Sequence, residues 1–111
     1  MGFFIYFSMI SQKEEDIIIQ TLVPYKPKRI GVFGSRARSE QNEKSDLDLL
    51  VDLENINLLD LVALEEELSR LLGVKVDLVT EASLNKYLRP VIEKEVHYIL
   101  NHEDDSINNE K

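Results

Sequence analysis

Two aspartates one residue apart, Asp46 and Asp48, open an apolar stretch ten residues after a Gly34-Ser35 pair, in the segment GVFGSRARSEQNEKSDLDLLVDL. Carboxylates at i and i+2 of a strand project from one face and can share divalent cations. A glycine turn between a strand and the next element offers free backbone N–H groups, which hold phosphate. Phosphate grip beside metal-binding carboxylates is the equipment of phosphoryl or nucleotidyl transfer. Asp48 interrupts an apolar strand on a face that should be half buried, where an unpaired carboxylate is costly. Asp77, between Val76 and Leu78, makes the same argument. Both positions call for a metal or an arginine, whereas Asp52 reads as a solvated turn residue and is left out of the site.

The cations near the turn divide into two groups. Arg36 and Arg38 follow Gly34-Ser35 directly and suit a nucleotide's phosphates, one or the other neutralising charge on a leaving pyrophosphate. Lys26, Lys28 and Arg29 precede the strand and read as a solvated edge. Gly34 permits close backbone approach, and Ser35 offers a hydroxyl and an N–H to the terminal phosphates. His97 and His102 lie far from the motif and read as surface residues; Tyr87 and Tyr98 read as packing residues.

The elements that must position these groups follow from periodicity. Ser11-Gln12-Lys13-Glu14 fits a capping box and predicts a helix from Gln12 to Val23, with Ile17, Ile18 and Leu22 inward and Pro24 and Pro27 ending it. Arg29 to Phe33 is a short strand. Ser35 caps a short helix through Glu40, and 41–45 is polar loop. From Asp46 to Leu53 the chain alternates: Leu47, Leu49, Val51 and Leu53 take one face, and Asp46, Asp48, Leu50 and Asp52 the other. Asn57 starts a helix whose stripe is Leu61, Leu64, Leu68, Leu71 and Leu72, stopped by Gly73. Val74 to Thr80 is a third strand. Two last helical pieces are expected around 83–88 and 90–100, with Pro90 in the first turn of the second.

The order α-β-α-β-α-β-α predicts an α/β (α+β) domain: a small mixed β-sheet with helices packed on one side. For Ser35 and Asp46 to touch one nucleotide, the first two strands must run antiparallel. The crossover helix before the third favours parallel pairing with the second.

A chain of 111 residues is expected to be one domain, 1–111. Residues 1–10 read as an upstream extension, with Met9 an alternative start, or as an arm packing on a partner or on its own sheet; 101–111 reads as an acidic tail. The net charge of −8 argues against direct nucleic-acid binding. No cysteine is present, which excludes disulfides and thiolate zinc sites and is compatible with a cytoplasmic location. No apolar run is long enough to span a membrane.

Gly34, Ser35, Arg36, Arg38, Asp46 and Asp48, with Asp77 in VKVDLVT, resemble the signature of the DNA polymerase beta superfamily of nucleotidyltransferases, in particular its minimal nucleotidyltransferase (MNT) group. The resemblance runs from about residue 11 to about residue 100. Ser39 stands where many relatives have Gly, a departure that touches only the local turn. The resemblance implies a polymerase-beta-like core and a Mg2+-dependent transferase, with two ions held by Asp46, Asp48 and Asp77 and ATP as substrate. Asp77 matches the third carboxylate, which holds the catalytic metal and lowers the acceptor's pKa; it also stands as a general base. The chain has no room for a substrate domain, which points to a protein acceptor. In the resembled group that acceptor is a HEPN ribonuclease toxin, silenced by AMP on a tyrosine, and the transferase is the antitoxin. Two alternatives stand beside this: a non-catalytic antitoxin that occludes its toxin, and a small-molecule nucleotidyltransferase.

Overall fold

The computed structural model describes residues 10–38 and 46–102. The first helix, α1 (Gln12–Leu22), starts on the expected capping box: Ser11 Oγ accepts from Glu14 N–H at 3.1 Å, and Glu14 Oε1 accepts from Ser11 N–H at 2.9 Å. It buries Ile18 and Leu22. Pro24 does not break the chain abruptly. The segment tightens into a 3-10 turn, Val23–Tyr25, where the missing proline N–H is no loss.

Four strands form one sheet in the order β3-β2-β1-β4. These are β1 (Arg29–Phe33), β2 (Leu47–Asp52), β3 (Val76–Thr80) and β4 (His97–Asn101). β1 and β2 are antiparallel, pairing Arg29 with Asp52 at one end and Phe33 with Asp48 at the other. β2 and β3 are parallel and pair Asp48 with Asp77. Both directions are those the sequence demanded. Between β2 and β3 runs α2 (Leu58–Leu72), whose first turn is capped by Asn57 Oδ1 accepting from Asp60 N–H at 2.8 Å. Gly73 ends it in the left-handed region, φ +75°. Two side chains of α2 reach β3 backbone: Ser69 Oγ accepts from Val76 N–H at 2.9 Å and Glu65 Oε2 from Leu78 N–H at 2.8 Å.

Leu47, Leu49 and Val51 point to the face covered by α1 and α2. There they bury against Ile18, Leu22, Ile30, Val32, Leu64, Leu68, Val76 and Leu78. Ile10, which the sequence reading left in the extension, also packs in this core. The strand periodicity of two therefore turns Asp48, Leu50 and Asp52 to the opposite face.

That second face is where the structure departs from expectation. The two long helices do share one side of the sheet, but a third, α3 (Leu88–Glu95), covers part of the other. Ile92 and Leu84 pack on Leu50, flanked by Phe33, Val79 and Val96. Just ahead of α3, Asn85 Oδ1 accepts from Tyr87 N–H at 2.9 Å and Leu88 N–H at 2.8 Å. Pro90 sits in its first turn, as expected. The predicted helix over 90–100 is overturned beyond Glu95. Val96 is extended, and His97–Asn101 pairs antiparallel with β1. Gly31 makes this possible: a Cβ there would meet Val96 Cγ2 at 2.5 Å and the Tyr98 ring at 3.1 Å. The predicted helical piece at 83–88 reduces to a 3-10 turn over Glu81–Ser83 before α3. The expected short helix after Ser35 is turn through Arg38. Its continuation, the 41–45 loop, the Met9 start and the acidic tail from residue 103 lie outside the described residues.

Candidate active site

The chain leaves β1 at Phe33 and turns at Gly34, whose φ of +78° lies where L side chains are strained. The turn closes with Arg38 N–H on Gly34 O at 3.1 Å. Gly34 is required for a second reason. A Cβ there would land on the carboxylate Oδ2 of Asp48 and lie 3.1 Å from its carboxyl carbon. The turn thus sits directly on the Asp48 carboxylate, joining the two halves of the sequence motif.

Asp48 and Asp77 are register partners on adjacent strands and share the α3 face of the sheet. Asp46, two residues earlier on the same periodicity, is exposed just ahead of β2. Burial, first, raises the Asp48 pKa above its ordinary value. The Asp77 charge and a hydrogen bond with Asp77 raise it further, followed by the charges of Asp46 and Glu95. Four carboxyl groups therefore act on one spot beside a glycine turn. Among the described residues, no three acidic or histidine side chains converge as a ready-made metal cage. The donor chemistry nevertheless fits a divalent ion. The set is hard oxygen, it comes from neighbouring strands, and it carries like-charge repulsion that a bound cation relieves.

Ser35 is half-buried in the turn and Arg38 is exposed beside it. Arg36, next in the turn, faces the α1 side. It is buried, with Nη1 3.4 Å from Glu14 Oε2 on α1. Glu95, at the end of α3, escaped the sequence reading. Its Oε2 accepts from Gly34 N–H at 2.7 Å and its Oε1 from Arg38 Nη1 at 2.9 Å. No local signal could find it, because the contact joins residues 61 apart in the chain.

At the other end of the sheet, Arg29 bridges Asp52 at 2.9 Å and Glu81 at 2.8 Å. A cavity of about 620 Å3 also lies there, lined by Lys26, Lys28, Asp52, Glu54, His102 and apolar neighbours. It is far from the aspartates in the register and holds none of the motif residues. The clustered carboxylates and the glycine turn, not cavity size, mark the site.

A mixed sheet carrying an Asp pair beneath a glycine turn defines a nucleotidyltransferase core, and the comparisons agree. The family model described as "Nucleotidyltransferase domain" matches residues 16–99, and the chain belongs to that family. A Methanocaldococcus jannaschii protein with the provisional name protein adenylyltransferase is 53% identical over 77 residues, covering 68% of this chain and 79% of that one. The protein adenylyltransferase MntA of Thermococcus cleftensis is 48% identical over 73 residues, covering 65% and 74%. A crystal structure of a toxin–antitoxin with AMP-PNP aligns with TM-score 0.73 and 26% identity, over 84% of this chain and 78% of that one. A tri-AMPylated Shewanella oneidensis HEPN toxin in complex with MNT antitoxin aligns with TM-score 0.68 over 86% and 77%; at 24% identity that likeness shows the fold alone. The family expected from the Gly-Ser and Asp-x-Asp spacing is the family found, and the protein is an enzyme of the nucleotidyltransferase class.

Proposed function

We propose that this protein is a Mg2+-dependent antitoxin that transfers AMP from ATP to a tyrosine of a HEPN-type ribonuclease toxin. The single observation that carries the reading is the Asp48–Asp77 pairing against the Gly34 turn. The related adenylyltransferases and the toxin–antitoxin structure with AMP-PNP supply the nucleotide and the partner class.

Asp46, Asp48 and Asp77 would hold the metal, which supplies charge neutralisation at the attacking and leaving oxygens. Gly34 and Ser35 grip the terminal phosphates through backbone N–H groups and the hydroxyl. Arg38 lies at the edge of that turn, where pyrophosphate charge develops. Arg36 braces the turn against α1 through Glu14. The acceptor oxygen forms a bond to the α-phosphorus while the bond to pyrophosphate breaks, and Asp77 takes the acceptor's proton. A net charge of −8 favours a basic, RNA-handling protein as partner over RNA itself.

The test is ATP with Mg2+ and a candidate helical toxin, read by intact mass and by RNase activity after the two proteins are separated. A mass gain of AMP on toxin tyrosine, with lasting loss of RNase activity, is the expected result. Full recovery of the RNase with unchanged mass would instead establish occlusion.

A further inference from the structure

Glu95 is held where electrostatics disfavour a carboxylate. It is the last residue of α3, at the negative end of the helix dipole. It is also close enough to Asp48 for its charge to act on that group, in a corner already holding Asp46 and Asp77. Two contacts offset this. One oxygen takes the Gly34 N–H at 2.7 Å and the other takes Arg38 Nη1 at 2.9 Å. A backbone N–H in a glycine turn beside a guanidinium is an anion-binding pair, and the two oxygens of Glu95 bridge it as two phosphate oxygens would. The carboxylate therefore occupies the donors that the nucleotidyltransferase reading assigns to ATP.

We propose that the Glu95 carboxylate is a stand-in for nucleotide phosphate: it holds Gly34 N–H and Arg38 and yields both to an incoming triphosphate. The proposal rests on the nucleotide-binding reading of the same turn and adds a positioning residue to it. While Glu95 is in place, the turn keeps its binding shape and Arg38 stays beside it. When triphosphate arrives, a fourth negative charge would oppose it, so Glu95 must turn aside. The cost of that displacement is subtracted from ATP affinity.

A purely structural brace makes the opposite prediction, which gives the experiment its force. ATP–Mg2+ binding is measured by calorimetry for the wild type, Glu95→Gln and Glu95→Ala, with KM for ATP and kcat followed in the transfer assay. Inorganic tripolyphosphate serves as a second probe without the base. Loss of one competing charge-assisted contact set should tighten ATP and tripolyphosphate by about tenfold in both variants, with a matching fall in KM. Glu95→Gln keeps the side-chain volume, so it reports even where Glu95→Ala loosens α3. Unchanged or weaker binding in Glu95→Gln, while the wild type binds ATP normally, overturns this proposal and leaves the nucleotidyltransferase reading intact. If none of the three proteins binds ATP or tripolyphosphate, the nucleotide reading of the turn falls, and this proposal with it.

Discussion

Gly34 and Gly73 form a matched pair for testing whether the turn presses on the catalytic carboxylate. Their φ angles are nearly equal, +78° and +75°, so an alanine at either position carries the same backbone penalty. That penalty is about 1 kcal/mol. At Gly73 a Cβ meets nothing within 4 Å. Gly73→Ala should therefore cost only the backbone share, a fall in Tm of about 4–8 °C for a domain of this size, with transfer unchanged. At Gly34 the new Cβ collides with the Asp48 carboxylate and lies 3.3 Å from Asp48 Cβ. Asp48 must leave its rotamer, which adds about 1–3 kcal/mol of overpacking. A displacement of that order at a metal-binding carboxylate should lower transfer about a hundredfold or more. Urea denaturation in EDTA gives the stability difference, and ATP transfer under saturating substrate gives the rate. Asp48→Ala supplies the third arm of the cycle: in that background the excess cost of Gly34→Ala over Gly73→Ala should shrink toward zero. Equal losses of stability and activity from the two glycine changes would refute the collision. So would an excess that persists undiminished without the Asp48 carboxylate.

Other outcomes are expected. Because its pKa is raised by burial and then by Asp77, Asp46 and Glu95, Asp48 holds its proton more tightly in the folded state than in the unfolded chain. Metal-free protein should then lose stability as pH climbs from the ordinary carboxylate range near 4 through the raised value. Asp48→Asn should flatten that part of a Tm-versus-pH profile in EDTA and raise Tm at neutral pH; an unaltered slope would contradict the account. Asp77→Asn should lower transfer by about 10²–10³-fold while ATP–Mg2+ binding stays within a few fold, because Asp46 and Asp48 remain; calorimetry beside the transfer assay separates the two. Arg29→Ala leaves Asp52 and Glu81 facing each other without their cation. It should cost about 1–3 kcal/mol in urea unfolding yet leave ATP affinity unchanged, since it lies at the far end of β1.

Local rules made much of the architecture legible. Ser11 and Glu14 wrote the start of α1, and Gly34 and Gly73 marked two chain reversals. Strict alternation through Leu47, Leu49 and Val51 fixed which way Asp48 would point. What failed was decided across the chain. Glu93, Lys94 and Glu95 are good helix formers, and Ile92, Val96, Ile99 and Leu100 continue in helical phase, which outweighed the strand preference of Val96, Tyr98 and Ile99 in the sequence reading. Pairing with β1 won, and it depends on Gly31, more than sixty residues away in sequence, leaving space for Val96 and Tyr98. Arg36 and Arg38 are cations of one turn, and the sequence alone does not distinguish their surroundings. Their burial separates them: Arg36 turns to Glu14 on α1, and Arg38 stays exposed next to Glu95. Glu95 itself was invisible for the same reason as β4, since the end of α3 was placed inside a longer helix.

The parallel register of β2 and β3 makes two apolar residues the guardians of the reactive face. Val76 and Leu78 bury in the α1–α2 core, and that alternation turns Asp77 to the opposite face, beside Asp48. A one-residue slip of β3 would reverse every side chain, burying Asp77 and carrying Val76 and Leu78 out to the reactive face. The burial that stabilises the sheet therefore also sets the spacing of the carboxylates, and a polar residue at position 76 or 78 should loosen both together.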